Sequence, residues 1–231
     1  MKLLAIILCR KNSKRLKNKH HLKIGNQSLI DYSLNLLSKT NFFHNIIVSS
    51  DDRKIIKKVE KKYSDFIAVN RQKKLSTDST ESYEVLINIY NWYKKKYSNV
   101  DGIFLIQPTS PFRKLSTIKK MILQFKKYKM SKSIISVRKI DDHPNWMFRV
   151  QKNKMKHYIK NKSVKMSQYL DKLYIVNGLG YLLVPKDLLK EKTTIPKNSM
   201  AHISNSYYEN LDIDTKDDLE IGRAYKKYFN L

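Results

Sequence analysis

LLAIILCRKNSKRLKNK, residues 3 to 19, joins seven apolar residues directly to a segment carrying Arg10, Lys11, Lys14, Arg15, Lys17 and Lys19. A buried strand that ends in a basic loop with hydroxyl and amide side chains is how open α/β sheets present a phosphate site, because ligands sit beyond the carboxyl ends of the strands. The apolar run is too short to cross a bilayer. It is also a poor signal peptide, since its basic residues follow the run and no small-residue cleavage site comes next.

Outward from that stretch, further short apolar runs occupy 45–49, 66–69, 102–106 and 133–137. Between them apolar residues recur three or four apart: Ile30, Ser33, Leu34 and Leu37; Ile55, Val59 and Tyr63; Leu86, Ile89, Tyr93 and Tyr97; Ile118, Ile122 and Phe125. Fully apolar strands alternating with amphipathic helices predict a largely parallel sheet covered on both faces. The alternation weakens after residue 140, where HPNWMF (143–148) and a polar stretch (151–172) precede LYIVNGLGYLLV, read as two strands or one long one. Near the end, DTKDDLEIGRAYKKYF predicts a capped helix starting near Thr215, its acidic first turn suited to the helix dipole. With five Gly and five Pro no flexible linker is expected. One domain over 1–231 is expected, with an inserted segment between soft boundaries near 140 and 185.

The 231 residues, 41% of them hydrophobic and fifteen of them Tyr, are enough for a folded core. The net charge of +27 has three readings: a nucleic-acid or anionic-membrane partner, a small polyanionic substrate, or a Lys-rich surface. The lysines are spread over apparent helix faces (KKVEKKY, YKKKY, KKYKM, KKYF), which favours a solvated surface for the total. The run at 10–19 stands apart because it follows a strand. One cysteine, Cys9, allows no intramolecular disulfide and fits a reducing compartment, so the chain reads as soluble and cytoplasmic.

Several chemistries are excluded. There is no G-x-x-x-x-G-K-[ST], no G-x-S-x-G and no Cys/His cluster with zinc spacing. Gly178-Leu179-Gly180 lacks the third glycine of a dinucleotide fingerprint. In the loop, Arg10, Lys14 and Lys19 are spaced to reach the oxygens of one triphosphate, and Asn12 and Ser13 can take the turn conformations glycine usually supplies. Spacing alone leaves a basic surface loop or a nucleic-acid patch open.

The ordered set R-x-x-S-K-R-L-x-x-K (10–19), SSDD (49–52), NR (70–71), LSTD (75–78), LIQPTSPFR (105–113), HPNWMF (143–148), NG (177–178) and DIDTKDDLE (212–220) is more specific than its parts. It resembles the acylneuraminate cytidylyltransferase family, the CMP-sugar-acid synthetases, over nearly the full chain. The resemblance implies a three-layer Rossmann-like nucleotidyltransferase fold with a small inserted dimerisation segment. It implies transfer of CMP from CTP to the anomeric hydroxyl of a nonulosonic (sialic-type) acid, with release of pyrophosphate.

By the same resemblance Arg10, Lys14, Asp212 and Asp214 are catalytic, and Arg10 and Lys14, with Asn12, Ser13, Lys19, His20, Arg71 and Asp78, bind the nucleotide. Asp78 is open between that role and helix capping. Gln107, Thr109, Ser110, Gln168, Asn177 and Tyr181 fall on the sugar side. Asp212 and Asp214, two apart on one face of an extended segment, can hold Mg²⁺ against the phosphates, and the family places its metal ligands there. N-capping of the last helix is the competing reading for both. No residue is placed by the sequence as the general base; a metal-bound hydroxyl or a carboxylate of this pair could serve. Family members are homodimers in which the inserted segment reaches the neighbour's site, and Trp146, Phe148, Tyr158, Tyr169, Tyr174 and Tyr181 suit such an interface. His143 and Trp146 read as structural.

The chain departs from the family at His20, usually Asn, at Ser167, usually Arg (with Lys165 two residues earlier), and at Cys9, usually Ala. The first touches nucleotide affinity, the second the identity of the sugar acid, and the third is a small conservative change. Rival activities are a 3-deoxy-manno-octulosonate cytidylyltransferase, a member that has lost activity, and a non-enzymatic nucleic-acid-binding protein. The last predicts steep salt dependence and indifference to Asp212 and Asp214. Neither a membrane nor a nucleic-acid partner is expected.

Overall fold

The computed structural model describes residues 1–159 and 167–230. In chain order its first half comprises β1 (Leu3–Cys9), β2 (Lys23–Ile24), β3 (Gln27–Ser28), α1 (Leu29–Ser38), β4 (Asn45–Ser50), α2 (Arg53–Lys62), β5 (Phe66–Asn70) and α3 (Ser82–Lys96). Then come β6 (Gly102–Ile106), α4 (Leu115–Lys127), β7 (Ser133–Lys139), β8 (Phe148–Gln151) and β9 (Lys154–His157). The chain closes with β10 (Tyr174–Leu183), α5 (Pro185–Glu191), β11 (Ser199–Ile203) and α6 (Lys216–Tyr228).

Seven strands form one sheet in the order β11-β7-β10-β6-β1-β4-β5, with β10 antiparallel to both neighbours and the other pairings parallel. Alternation along β1 divides the core. Leu3, Ala5, Ile7 and Cys9 pack with Leu34 of α1, Val59 of α2 and Phe125 of α4, while Leu4 and Ile6 pack with Leu86 and Tyr93 of α3 and Leu188 of α5. A strand buried on both faces has no position for a polar side chain, which is why β1 reads as one apolar run. A smaller cluster of Ile24, Leu29, Phe112, Ile213 and Leu219 seats α6 against the start of α1.

The three-layer α/β architecture and the placement of the strands agree with the sequence reading, and Thr215 caps α6 through a capping box with Asp218. Four features were decided by packing. LYIVNGLGYLLV is a single strand, β10, whose register shifts between Val176 and Tyr181. Because β10 belongs to the main sheet, the segment outside that sheet ends at residue 173 and not near 185. Tyr97 leaves the buried stripe of α3: it caps the helix and stacks on Tyr93 at 4.9 Å while staying exposed. Tyr181 is buried among Leu105, Ile135 and Leu183, so it is withdrawn from any interface, whereas Trp146, Tyr158, Tyr169 and Tyr174 are exposed. Lys165 lies outside the described residues. No described helix is long and apolar enough to cross a membrane.

Candidate active site

The loop after β1 is held by the SSDD segment at the end of β4. Asp51 Oδ1 accepts from the Lys11 amide at 2.7 Å. Asp52 caps α2 by accepting from the Lys54 amide at 2.9 Å and binds His21 Nε2 at 2.7 Å. Ser50 Oγ accepts from the Asp52 amide at 3.0 Å. Ser49 anchors Arg71, whose Nη2 donates to its carbonyl at 2.8 Å and whose Nε donates to its hydroxyl at 3.3 Å. Cys9 sits beneath this corner, and burial pushes its thiol up to about 12, so it acts as a small apolar residue.

A cleft of about 360 Å³ opens above the loop, lined among others by Arg10, Asn12, Ser13, Lys19, His20, Arg71, Asp78, Gln107, Thr109, Asp212 and Asp214. Four cations of the loop are paired in two groups. Arg10 (3.0 Å) and Lys14 (2.8 Å) converge on Asp78, and Arg15 (2.6 Å) and Lys19 (2.8 Å) converge on Asp214. Arg10 also donates to the Thr77 carbonyl at 2.7 Å. Asp78 caps no helix, because the N-cap of α3 is Glu81. Arg15 was not singled out from the sequence, where it reads as one more charge in a basic run. His20 is 7% exposed, and burial, followed by the charge of Lys19, lowers its pKa to about 3. It lines the cleft as a neutral imidazole whose Nδ1 has no hydrogen-bond partner.

Asp212 closes the far end of the cleft. The Ile213 amide donates to the Thr109 carbonyl at 2.8 Å, and Ile213 itself is fully buried, so the DID segment is pinned against the turn after β6. The Asp214 amide donates to Asp218 Oδ2 at 3.0 Å, which joins the segment to the cap of α6. Upstream, buried Glu209 accepts from the Lys114 amide at 2.9 Å and from Thr117 Oγ1 at 2.8 Å. Burial, reinforced by Asp214, raises the Asp212 carboxyl, while a Thr109 hydrogen bond opposes this, and Asp212 Oδ1 is buried without a partner.

Gly178 explains the bulge in β10. Its φ of +72° is a left-handed conformation, and a Cβ there would lie 3.0 Å from Gln107 Oε1 and 3.6 Å from both Asp212 Oδ2 and Ser110 Oγ. Buried Arg113 ties the same corner together: Nε donates to the Leu179 carbonyl at 2.5 Å and Nη2 to the Gln107 carbonyl at 2.8 Å. Desolvation lowers its pKa to about 10. Both residues lie inside quoted motifs, yet only the fold shows that they face one another.

A second hollow, of about 660 Å³, lies on the other side of Asp212 and is lined by Arg138, Asn177, Ser204, Tyr207 and Asn210 among others. Asn177 Nδ2 donates to Asn210 Oδ1 at 2.7 Å. Of the residues expected on the sugar side, Gln107 and Thr109 line the first cleft and Asn177 the second. Ser110 is buried beside Gly178, and Tyr181 lines neither cleft. Gln168 lines a third hollow of about 400 Å³, with His143 and Trp146. His143 Nδ1 accepts from the Asn145 amide at 3.1 Å.

A family model described as cytidylyltransferase matches residues 4–221. The chain is 28% identical to the CMP-N,N'-diacetyllegionaminic acid synthase of Legionella pneumophila, over 93% of this chain and 92% of that protein. It is also 28% identical to the pseudaminic acid cytidylyltransferase of Campylobacter jejuni, over 98% and 97% respectively. Its fold matches a solved CMP:2-keto-3-deoxy-manno-octonic acid synthetase complexed with CTP, with a TM-score of 0.68, 14% identity and both chains covered in full. The chain belongs to the cytidylyltransferase family, of the CMP-sialic acid synthetase-like kind that its motifs resemble, and is a nucleotidyltransferase.

Proposed function

We propose that the protein transfers CMP from CTP to the anomeric hydroxyl of a nonulosonic acid and releases pyrophosphate. The observation that carries this reading is the meeting of two hollows at Asp212. One is basic and shaped by the loop after β1; the other is polar and bounded by β7 and β10. The relatives named for legionaminic and pseudaminic acids lend the acceptor class.

In this reading Arg10, Lys14 and Lys19 exchange Asp78 and Asp214 for phosphate oxygens of CTP, while Arg71, His20, Asn12 and Ser13 bound the nucleotide. Gln107, Thr109 and Asn177 orient the acceptor. Its anomeric oxygen bonds to the α-phosphorus as the bridge to the β-phosphate breaks and pyrophosphate leaves, and the hydroxyl proton passes to a carboxylate of the Asp212 and Asp214 pair. Asp212 and Asp214 suit Mg²⁺. Asp212 has a buried oxygen without a partner. Among the described residues no cluster of three or more His, Cys, Asp or Glu could hold a metal, and Mg²⁺ is commonly held by one or two carboxylates plus substrate phosphates. Bound there, Mg²⁺ would supply positive charge against the α-phosphate as negative charge builds. We also take the protein to be cytoplasmic and a homodimer; exposed Val150, Met155, Tyr158, Tyr169 and Tyr174 in and around β8, β9 and β10 support the dimer.

The test is pyrophosphate release with CTP, Mg²⁺ and a panel of nonulosonic acids plus 3-deoxy-manno-octulosonate, with ATP, UTP and GTP as controls. Release with CTP and one nonulosonic acid, lost in Asp212→Ala and on chelation of the metal, is expected. Release only with 3-deoxy-manno-octulosonate would move the protein to the neighbouring chemistry. Silence without CTP binding would overturn the reading.

A further inference from the structure

We infer that Arg138 receives the carboxylate of the acceptor and thereby selects acids over neutral sugars; the inference rests on the reaction proposed above. Arg138 is the penultimate residue of β7, half-buried, and it lines the hollow across Asp212 from the nucleotide cleft. The wall around it is built. Asn177 and Ser204 are only 5% and 6% exposed, both line the hollow, and the buried Ser204 hydroxyl has no hydrogen-bond partner. The Ser204 amide donates to the Val137 carbonyl at 2.8 Å, which fixes this wall against the strand that carries Arg138.

The arginines and lysines around the nucleotide cleft are committed in the structure. Arg10 and Lys14 hold Asp78, Arg15 and Lys19 hold Asp214, Arg71 holds Ser49, and Arg113 holds two backbone carbonyls. Among the described residues Arg138 makes no ion pair, and its one hydrogen bond is a long 3.4 Å contact with the carbonyl of Lys139. Its planar fork is therefore free for a bidentate anion. None of the three carboxylates lining the hollow, Asp141, Asp212 and Asp218, pairs with it. Asp218 is engaged by the amides of Asp214 and Thr215 and by the Thr215 hydroxyl, and Asp141 is exposed. Lys139 also lines the hollow but is exposed and offers only a mobile point charge.

The chemistry of the acceptor requires a cation on this side. A keto-sugar acid carries its carboxylate on the same carbon as its anomeric hydroxyl. When that hydroxyl is presented beside Asp212, the carboxylate lies one bond away from the reacting carbon. It must therefore be received in the same hollow, where the uncommitted guanidinium of Arg138 offers it a charged, planar partner.

The experiment uses the full chain and an acid already shown to react with the wild type. Kinetics are measured at saturating CTP with the acid varied, then at saturating acid with CTP varied. Arg138→Met should raise the KM of the acid about 10- to 100-fold, the range of a lost charged hydrogen-bond pair. The KM of CTP and the melting temperature should stay near wild type, and Arg138→Lys should recover part of the loss. An analogue whose carboxylate is reduced to a primary alcohol should react poorly with the wild type, and Arg138→Met should no longer distinguish it from the acid. An unchanged KM for the acid, an equal rise in the KM of CTP, or discrimination preserved in Arg138→Met would each overturn the assignment. Should Arg138→Met fail to fold, Arg138→Gln carries the same acid-against-alcohol comparison. If the wild type reacts with no acid, the reaction reading fails first and this assignment falls with it.

Discussion

Replacing Gly178 by alanine separates the backbone demand of the β10 bulge from its service to the site. At φ +72° an L-residue costs about 1–2 kcal/mol. The new methyl would stand 3.0 Å from Gln107 Oε1, the far end of a side chain that can yield by a few tenths of an ångström. Its contacts with Asp212 Oδ2 and Ser110 Oγ at 3.6 Å are ordinary. Strain therefore dominates. For 231 residues a loss of about 1–2 kcal/mol lowers the melting temperature by roughly 2–8 °C. Turnover should fall as well. The methyl is added where Gln107 and Asp212 approach each other and shifts the Gln107 amide by a few tenths of an ångström; since misplacement by about 1 Å costs on the order of 10²-fold, a loss of roughly several-fold is expected. The loop cations are untouched, so the KM of CTP should hold. Thermal melts and pyrophosphate release read the two effects apart. A Gly178→Ala protein that melts lower as the strain requires, yet turns over like wild type at every acid concentration, would refute the claim that acceptor and nucleotide meet at this corner.

Other outcomes follow from the same geometry. Asp78→Asn removes the counter-ion of Arg10 and Lys14, so CTP should bind a few-fold more tightly in calorimetry; weaker binding would mean that Asp78 itself holds the nucleotide. Arg113→Met strips the donors from the Leu179 and Gln107 carbonyls. The Gln107 carbonyl keeps the Ser110 amide at 3.3 Å, so the loss falls on the Leu179 carbonyl; at about 1–3 kcal/mol for one buried group left unpaired, the variant should lose that much in denaturant unfolding, and no measurable loss would contradict the role given to it. His20 gives stability a pH dependence. Its folded pKa is about 3 against an ordinary 6.5, so both states are neutral above pH 6.5 and the full stability is present there. Below that, the unfolded chain takes up a proton the folded one refuses, and stability falls by about 1.4 kcal/mol per pH unit, or roughly 2 kcal/mol by pH 5. His20→Gln should flatten that part of the profile; parallel wild-type and variant curves would rule the histidine out.

The alternation of apolar runs with helical periodicity determined the parallel strands, the two-sided cover and the capped last helix, because these features report only which face of a local segment is apolar. Residue types in order determined the basic loop and the paired aspartates for the same reason: chemistry that lies within a few residues is legible along the chain. What the tertiary structure decided involves partners far apart in sequence. Lys19 and Asp214, 195 residues apart, meet because α6 folds back onto the start of α1. Arg15 joins them, a contact that a run of like charges cannot announce. Gly178 faces Gln107 only because β10 enters antiparallel beside β6 with a bulge, and the same strand turns Tyr181 into the core. Gln168 lines a separate hollow, while Arg138, silent in the sequence as the polar end of an apolar strand, shares a polar hollow with Asp212. Local pattern encodes burial, and burial builds the elements. Which side chains then converge depends on how loops from separate strands pack at one edge of the sheet, a property of the assembled core and of no single segment.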